Sequence, residues 1–283
     1  MGTGVVLKLY ESGYNRYGED KYLKIKEHGF DCVDFNIMNT ETELYVSGEE
    51  RFKEILLCEK KLAEDAGIRI HQVHGPWRIP KDSTEADREE RMEKMQKSIR
   101  AASILGAKYW VIHPLMPCGM DDLKTGLSEK TWEINLSFMR ELLETAKEYG
   151  ITICFENMPM NNFSLSTPEK VLEFVNAIND EHFKICLDTG HLARFNVSKT
   201  GDAIRLLGDS IKVLHTHDNM GNSDTHQFPY TGIIDWKDFG KALKDINFDG
   251  VLSMETAPKA DLSDDEFEKK SKELAIIARK IVE

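Results

Sequence analysis

Apolar residues along the chain follow two alternating rhythms. Short β-rich runs recur from end to end: VVLKLY (5–10), CVDFNI (32–37), IRIHQVH (68–74), KYWVIH (108–113), ITICFE (151–156), FKICLD (183–188), IKVLHTH (211–217) and GVLSMET (250–256). Between them, apolar positions repeat at i, i+3, i+4 and i+7, as Phe52, Ile55, Leu56, Leu62 and Ala63 do within 49–66. That spacing makes the one-sided stripe of an amphipathic helix. Several helical stretches end on a glycine just before the next strand, in EDAG-IRI, SILG-AK and KEYG-ITI. STPE (166–169) and DLSDDE (261–266) read as helix starts, with capping hydroxyls and early acids. Eight strand–helix units without a linker predict an α/β chain folded as a single (β/α)8 TIM barrel, one domain over 1–283. The competing doubly wound open sheet loses ground because GxGxxG and GxxxxGK[ST] are both absent. No nucleotide cofactor is expected.

In such a barrel, functional groups gather at the C-terminal ends of the strands. Read in order, those ends are His74, His113, Glu156, Asp188, His215 and Glu255. Alternation along a strand sorts side chains between pore and helices. Glu156 shares a face with Cys154 and Thr152, Asp188 with Cys186, and Glu255 with Ser253 and Val251; bulky Phe155, Leu187 and Met254 take the other face. By the same parity His71 is expected to face a helix and hydrogen-bond locally. His28 and His182 carry no functional signal.

Carboxylates converging on one pore mouth repel one another unless cations neutralise them. A metal site at the C-terminal ends of the strands follows. Oxygen-rich ligands favour Mn²⁺ or Mg²⁺ and imidazoles favour Zn²⁺, with Co²⁺ also compatible. DTGH adds a spacing argument, because a Thr-Gly turn lets Asp188 and His191 bend toward one point. The stretch HTHDNMGNSDTHQF (215–228) holds three of the nine histidines, together with Asp218 and Asp224.

These motifs, VHGP (73–76), VIHP (111–114), FENM (155–158), LDTGH (187–191), HTHD (215–218), DTH (224–226) and MET (254–256), resemble the xylose isomerase-like TIM barrels, or AP endonuclease family 2 superfamily. The resemblance spans essentially the whole chain. Its ketose 3-epimerase branch implies Glu156, Asp188, His215 and Glu255 as ligands of one divalent metal, often Mn²⁺, with Glu156 and Glu255 also the catalytic acid/base pair. Its endonuclease IV branch implies further ligands His74, His113, His191, Asp224 and His226, for up to three zinc ions. His215 is preferred over His217 as the strand-seven ligand, since it shares parity with Val213, and His217 stays the alternative. His217 and Asp218 otherwise read as groups that orient ligands.

The chemistry implied is an isomerase or epimerase acting on a sugar, sugar phosphate or cyclitol, in which the glutamates move a proton through an enediolate held by the metal. One alternative is an endonuclease IV-like zinc phosphodiesterase acting on abasic DNA. Another is an inosose dehydratase-like lyase on a keto-sugar. A barrel that only binds its ligand has no need of two acids at 156 and 255. Ketose 3-epimerases carry an arginine shortly after the strand-seven histidine, where this chain has MGN (220–222); Arg194 is the nearest arginine in a suitable loop. Candidate substrate contacts are therefore His191, Asn157, Trp77, Arg194 and His217, with Trp236 at the same rim.

Composition bears on partners. A net charge of −12, with Lys/Arg in REERMEKMQKSIR (88–100) interleaved with Glu, speaks against a nucleic-acid stripe and for a salt-bridged helix face. Five widely spaced cysteines without a CxxC pair, no signal-like start and no membrane-length apolar run lead to the expectation of a cytoplasmic protein with free thiols. The partner is then a small sugar-like molecule, and a homo-oligomer stays open.

Overall fold

The computed structural model describes residues 1–77, 85–195 and 200–283. Eight strands, β1 Gly2–Lys8, β2 Cys32–Asn36, β3 Arg69–His74, β4 Tyr109–Ile112, β5 Thr152–Glu156, β6 Phe183–Asp188, β7 Ile211–His215 and β8 Val251–Met254, lie within the expected runs except at the start of the chain. There β1 begins at Gly2, because Gly2 to Val5 pair with Val251 to Met254 of β8. The ladder is parallel, in the order β7-β6-β5-β4-β3-β2-β1-β8. One residue past β7 closes it: the Thr216 N–H donates to the Ser253 carbonyl (2.8 Å), and the Glu255 N–H donates to the Thr216 carbonyl (3.1 Å). The result is a (β/α)8 barrel.

The principal helices are α1 Lys21–His28, α2 Glu43–Val46, α3 Glu49–Ala66, α4 Glu85–Leu105, α5 Asp122–Thr125, α6 Ser128–Glu148, α7 Pro168–Ile178, α8 Thr189–Ala193, α9 Gly201–Leu207, α10 Trp236–Asp245 and α11 Asp264–Val282. Their ends have the chemistry their sequence promised. Thr167 caps α7, its side chain accepting from the Lys170 N–H, with Pro168 in the first turn. Before α11 the Glu266 carboxylate accepts from the Ser263 hydroxyl (2.7 Å) and N–H (3.4 Å). Gly67 ends α3 at φ 65°, where its N–H can reach back to Ala63 and Glu64. Helix α4 shows a bridged outer face, with Lys94 2.6 Å from Glu90 and Arg100 2.6 Å from Glu49, while Met92, Met95 and Ile99 are buried.

Two apolar compartments result. The larger lies between sheet and helices and takes Phe155, Leu187 and Met254, the outward-facing residues of their strands. The smaller fills the barrel interior with Val111, Cys154, Cys186 and Val213, edged by Tyr109. That interior plug supports a polar mouth above it.

His71 departs from the expected parity. Residues of β2 and β3 pair as Val33 with Ile70 and then Asp34 with Gln72, so His71 is an extra residue in β3. This bulge puts both Ile70 and Val73 in the outer core, three residues apart instead of two. The His71 ring instead meets Tyr109, at the edge of the interior compartment, with ring centroids 5.3 Å apart. Its Nε2 has no hydrogen-bond partner among the described residues. Among the described residues, no helix is long and apolar enough to cross a membrane.

Candidate metal and active site

Glu156, at the end of β5, is fully buried and stands at the centre of the mouth. Its Oε1 is 3.0 Å from His215 Nδ1, and its Oε2 is 3.1 Å from His113 Nε2 and 3.6 Å from His74 Nε2. Glu255, just past β8, reaches the same His215 Nδ1 from another strand, at 3.4 Å. Asp188 ends β6 beside them. One ligand atom from each of Glu156, Asp188, His215 and Glu255 lies within 4.8 Å of the others. His74, His113 and Glu156 form an adjoining group on the same criterion.

The DTGH turn builds the next wall. Asp188 caps the short α8, its Oδ1 accepting the His191 N–H at 2.6 Å, so the strand stops where the carboxylate enters the mouth. Gly190 lies against the His217 ring; a Cβ there would stand 1.9 Å from that ring. His217 Nε2 sits 3.1 Å from Asp188 Oδ2. His226, held at φ 44°, stacks on His217 with centroids 4.0 Å apart, and Asp224 joins them in a third group. That group includes His217, which the endonuclease-type expectation did not count among its ligands, and omits His191, which it did. The His191 Nδ1–H donates to the Asn157 carbonyl (2.6 Å), while its Nε2 lies 3.3 Å from Asp224.

The fit of these residues to a divalent cation rests on their own geometry. His74 Nε2, Glu156 Oε2 and Glu255 Oε2 are buried polar atoms with no hydrogen-bond partner among the described residues, and all three face the mouth. Buried polar atoms are rarely left so. A cation would satisfy them. The electrostatics agree: burial alone would raise the Glu156 carboxyl, yet the His215 and His113 imidazoles outweigh it and hold it well below the usual range. Burial, with Glu156 and Asp188 adding repulsion against the opposing pull of His215, raises Glu255. His191 is raised to about 10 and His226 to about 9, in each case because neighbouring carboxylates overcome desolvation. Imidazolium thus balances the negative charge that a divalent cation would balance. Three carboxylates and one imidazole suit an oxygen-preferring ion; the His-rich groups beside them suit zinc.

Above the ligands opens a cleft of about 1030 Å³, lined by Trp77, His113, His191, Asp224, His226 and Glu255. Trp77 stands edge-on to His113. Other expected substrate contacts lie elsewhere. Asn157 is fully buried, and its amide bridges to the Asp188 backbone in both directions (2.8 and 3.0 Å), locking β5 to β6. Arg194 donates to the Gly221 carbonyl at 2.7 Å and so braces the loop after β7. Trp236 is buried, its indole N–H donating to Asp218. Sequence reasoning missed Asp34, whose Oδ2 is 2.9 Å from His215 Nε2. A lone acid flanked by Val33 and Phe35 in an apolar run was the available signal.

Comparison with known proteins agrees with this fold. Residues 23–274 match the family model described as the xylose isomerase-like TIM barrel. The uncharacterized protein MJ1311 of Methanocaldococcus jannaschii is 30% identical over 82% of this chain and 76% of its own. D-psicose 3-epimerase of Ruminiclostridium cellulolyticum is 24% identical over 87% of this chain and 79% of its own. Among solved structures, a D-tagatose 3-epimerase-like protein superposes with a TM-score of 0.77 at 27% identity, covering 100% of this chain and 98% of the other.

Proposed function

The chain belongs to the xylose isomerase-like TIM-barrel family, and on that premise we propose that it is a divalent-metal-dependent isomerase or epimerase of a sugar-like hydroxy-ketone. The observation that carries this reading is the approach of Glu156 and Glu255, from β5 and from the end of β8, to one nitrogen of His215. A divalent cation held by Glu156, Asp188, His215 and Glu255 would polarise adjacent oxygens of the substrate and acidify the C–H between them. Glu156 and Glu255 then divide the proton work, one taking the proton and the other returning it. Return to the opposite face of the same carbon gives an epimer, and return to the neighbouring carbon gives an isomer. His215 and His113 beside Glu156 keep it ionised, as a base requires. Trp77 and His191 offer the substrate a flat apolar wall and a polar contact.

Hydrolysis of a phosphodiester is a second reading with its own support, because His74/His113/Glu156 and His217/Asp224/His226 each group tightly enough to hold a further ion. A keto-sugar lyase would begin with the same proton abstraction and then expel a β-leaving group. Metal content by mass spectrometry, on protein purified without chelator or His-tag, separates them. About one Mn²⁺, Co²⁺ or Mg²⁺ per chain supports proton transfer, and about two or three Zn²⁺ with cleavage of abasic DNA supports hydrolysis. No metal after each ion has been added back removes both.

A further inference from the structure

Asp34 is a charged residue in the middle of β2, a strand buried along its whole length, and it is only 1% exposed. An isolated buried carboxylate costs several kcal/mol, and Val33 and Phe35 beside it show what a purely packing position in this strand looks like. Three groups from three other strands meet its Oδ2: the Gln72 amide donates at 2.8 Å, the Ser253 hydroxyl at 3.4 Å, and His215 Nε2 lies at 2.9 Å. The bulge at His71 is what brings Gln72 level with Asp34. His215 therefore has a carboxylate on each side, Asp34 at Nε2 and the Glu156/Glu255 pair at Nδ1.

We propose that Asp34, held by Gln72, is a positioning residue that fixes the ring orientation and tautomer of His215 and so sets the cation affinity of the Glu156/Asp188/His215/Glu255 group. A neutral imidazole has one N–H and one lone pair. In the structure Nδ1 is hydrogen-bonded to Glu156 Oε1 (3.0 Å), and Nε2, 2.9 Å from Asp34, makes no hydrogen bond among the described residues. A cation taking the Nδ1 lone pair would leave the ring proton on Nε2, with Asp34 as its acceptor. Without Asp34, the Nε2 proton of the metal-bound ring would have no acceptor, and the tautomer that keeps the proton on Nδ1, bonded to Glu156, would be favoured over the ligating one. Carboxylate partners of ligating histidines act in this way generally, and their loss typically weakens metal binding about 10–100-fold. Gln72 donates to the same oxygen and leaves Asp34 acting as acceptor toward the ring. The inference rests on the metal reading of the site given above.

The test is calorimetric titration of Mn²⁺ and Co²⁺ into chelator-stripped wild type, Asp34→Ala and Asp34→Asn, with thermal melts of the same metal-free proteins. The expected result is affinity in Asp34→Ala lower by about 10–100-fold with little change in its metal-free melt. In ¹⁵N spectra of the Mg²⁺-loaded proteins, the His215 ring should show a proton on Nε2 in the wild type and a mixture in Asp34→Ala. Should Asp34→Ala fail to fold, Asp34→Asn decides, since it keeps the shape and loses the charge: weakened binding supports the role and wild-type affinity overturns it. A wild type that binds while both variants bind equally well overturns the role of Asp34 alone. A wild type that binds no cation overturns the metal reading, and this inference with it.

Discussion

Glu156 and Glu255 meet at a single atom, the Nδ1 of His215, which lies 3.0 Å from an oxygen of the first and 3.4 Å from an oxygen of the second. A buried and a largely buried carboxylate this close need a positive partner. Their environments pull them apart: Glu156 is held down by two imidazoles, and Glu255 is raised by burial and by its acidic neighbours. Pairs of acids driven in opposite directions characterise acid/base machinery.

Replacing either glutamate by glutamine is therefore expected to reduce turnover by at least about 10²–10⁴-fold. The fold should persist, because glutamine keeps the volume and removes a buried charge. Circular dichroism and a thermal melt check the fold, and solvent exchange into substrate checks the proton step. Near-normal activity in Glu255→Gln would remove it from the pair.

Stripping the metal is expected to abolish activity and to lower the melting temperature. A ligand present at about 1,000 times its Kd stabilises by about 4 kcal/mol, so the melt should recover on adding Mn²⁺ or Co²⁺. Affinity should fall as pH falls, since the carboxylates and His215 must be deprotonated to bind. Titrations at two pH values check this. Affinity that rises in acid would contradict the ligand set.

Gly190→Ala is expected to be costly despite its small size. The new Cβ would stand 1.9 Å from the His217 ring, inside a fully buried turn. Overpacking of this kind typically costs about 1–3 kcal/mol, and the displaced ring would loosen the His217/Asp224/His226 group. Urea unfolding reads the first effect and the zinc-to-chain ratio reads the second.

Much of this was legible in the chain. Strand alternation separated Cys154, Cys186 and Glu156 from Phe155 and Leu187, because small inward and bulky outward residues repeat in successive strands. Helix ends at Thr167, Ser263 and Gly67 were legible because caps are local chemistry. The bulge at His71 was not, since it depends on the register of a partner strand. Asp34 stayed hidden for a related reason: its partners Gln72, Ser253 and His215 come from three other strands, and only the closed barrel brings them together. Asn157 had the right type and place for a substrate contact, but the Asp188 backbone claims its amide.

His71 gives a pH prediction away from the metal. Burial, helped by Arg69, lowers it to about 4, whereas in the unfolded chain it titrates near its ordinary value of about 6.5. The unfolded state thus binds more protons between those values. The stabilisation from burying the neutral ring is complete above about pH 6.5 and is lost as pH falls toward 4, a change of about 3 kcal/mol. The difference in unfolding free energy between wild type and His71→Leu, followed over that range in metal-free protein, should change by this amount. A flat difference would show that the ring is protonated in the fold.

The most direct test of the central claim is deuterium incorporation from D₂O into a panel of ketoses, ketose phosphates and inososes by metal-reconstituted protein, followed by NMR. The account predicts exchange at a carbon next to the carbonyl of at least one compound, lost in Glu156→Gln and in Glu255→Gln. Exchange that survives both substitutions, or its absence across the panel while abasic DNA is cleaved, would contradict it.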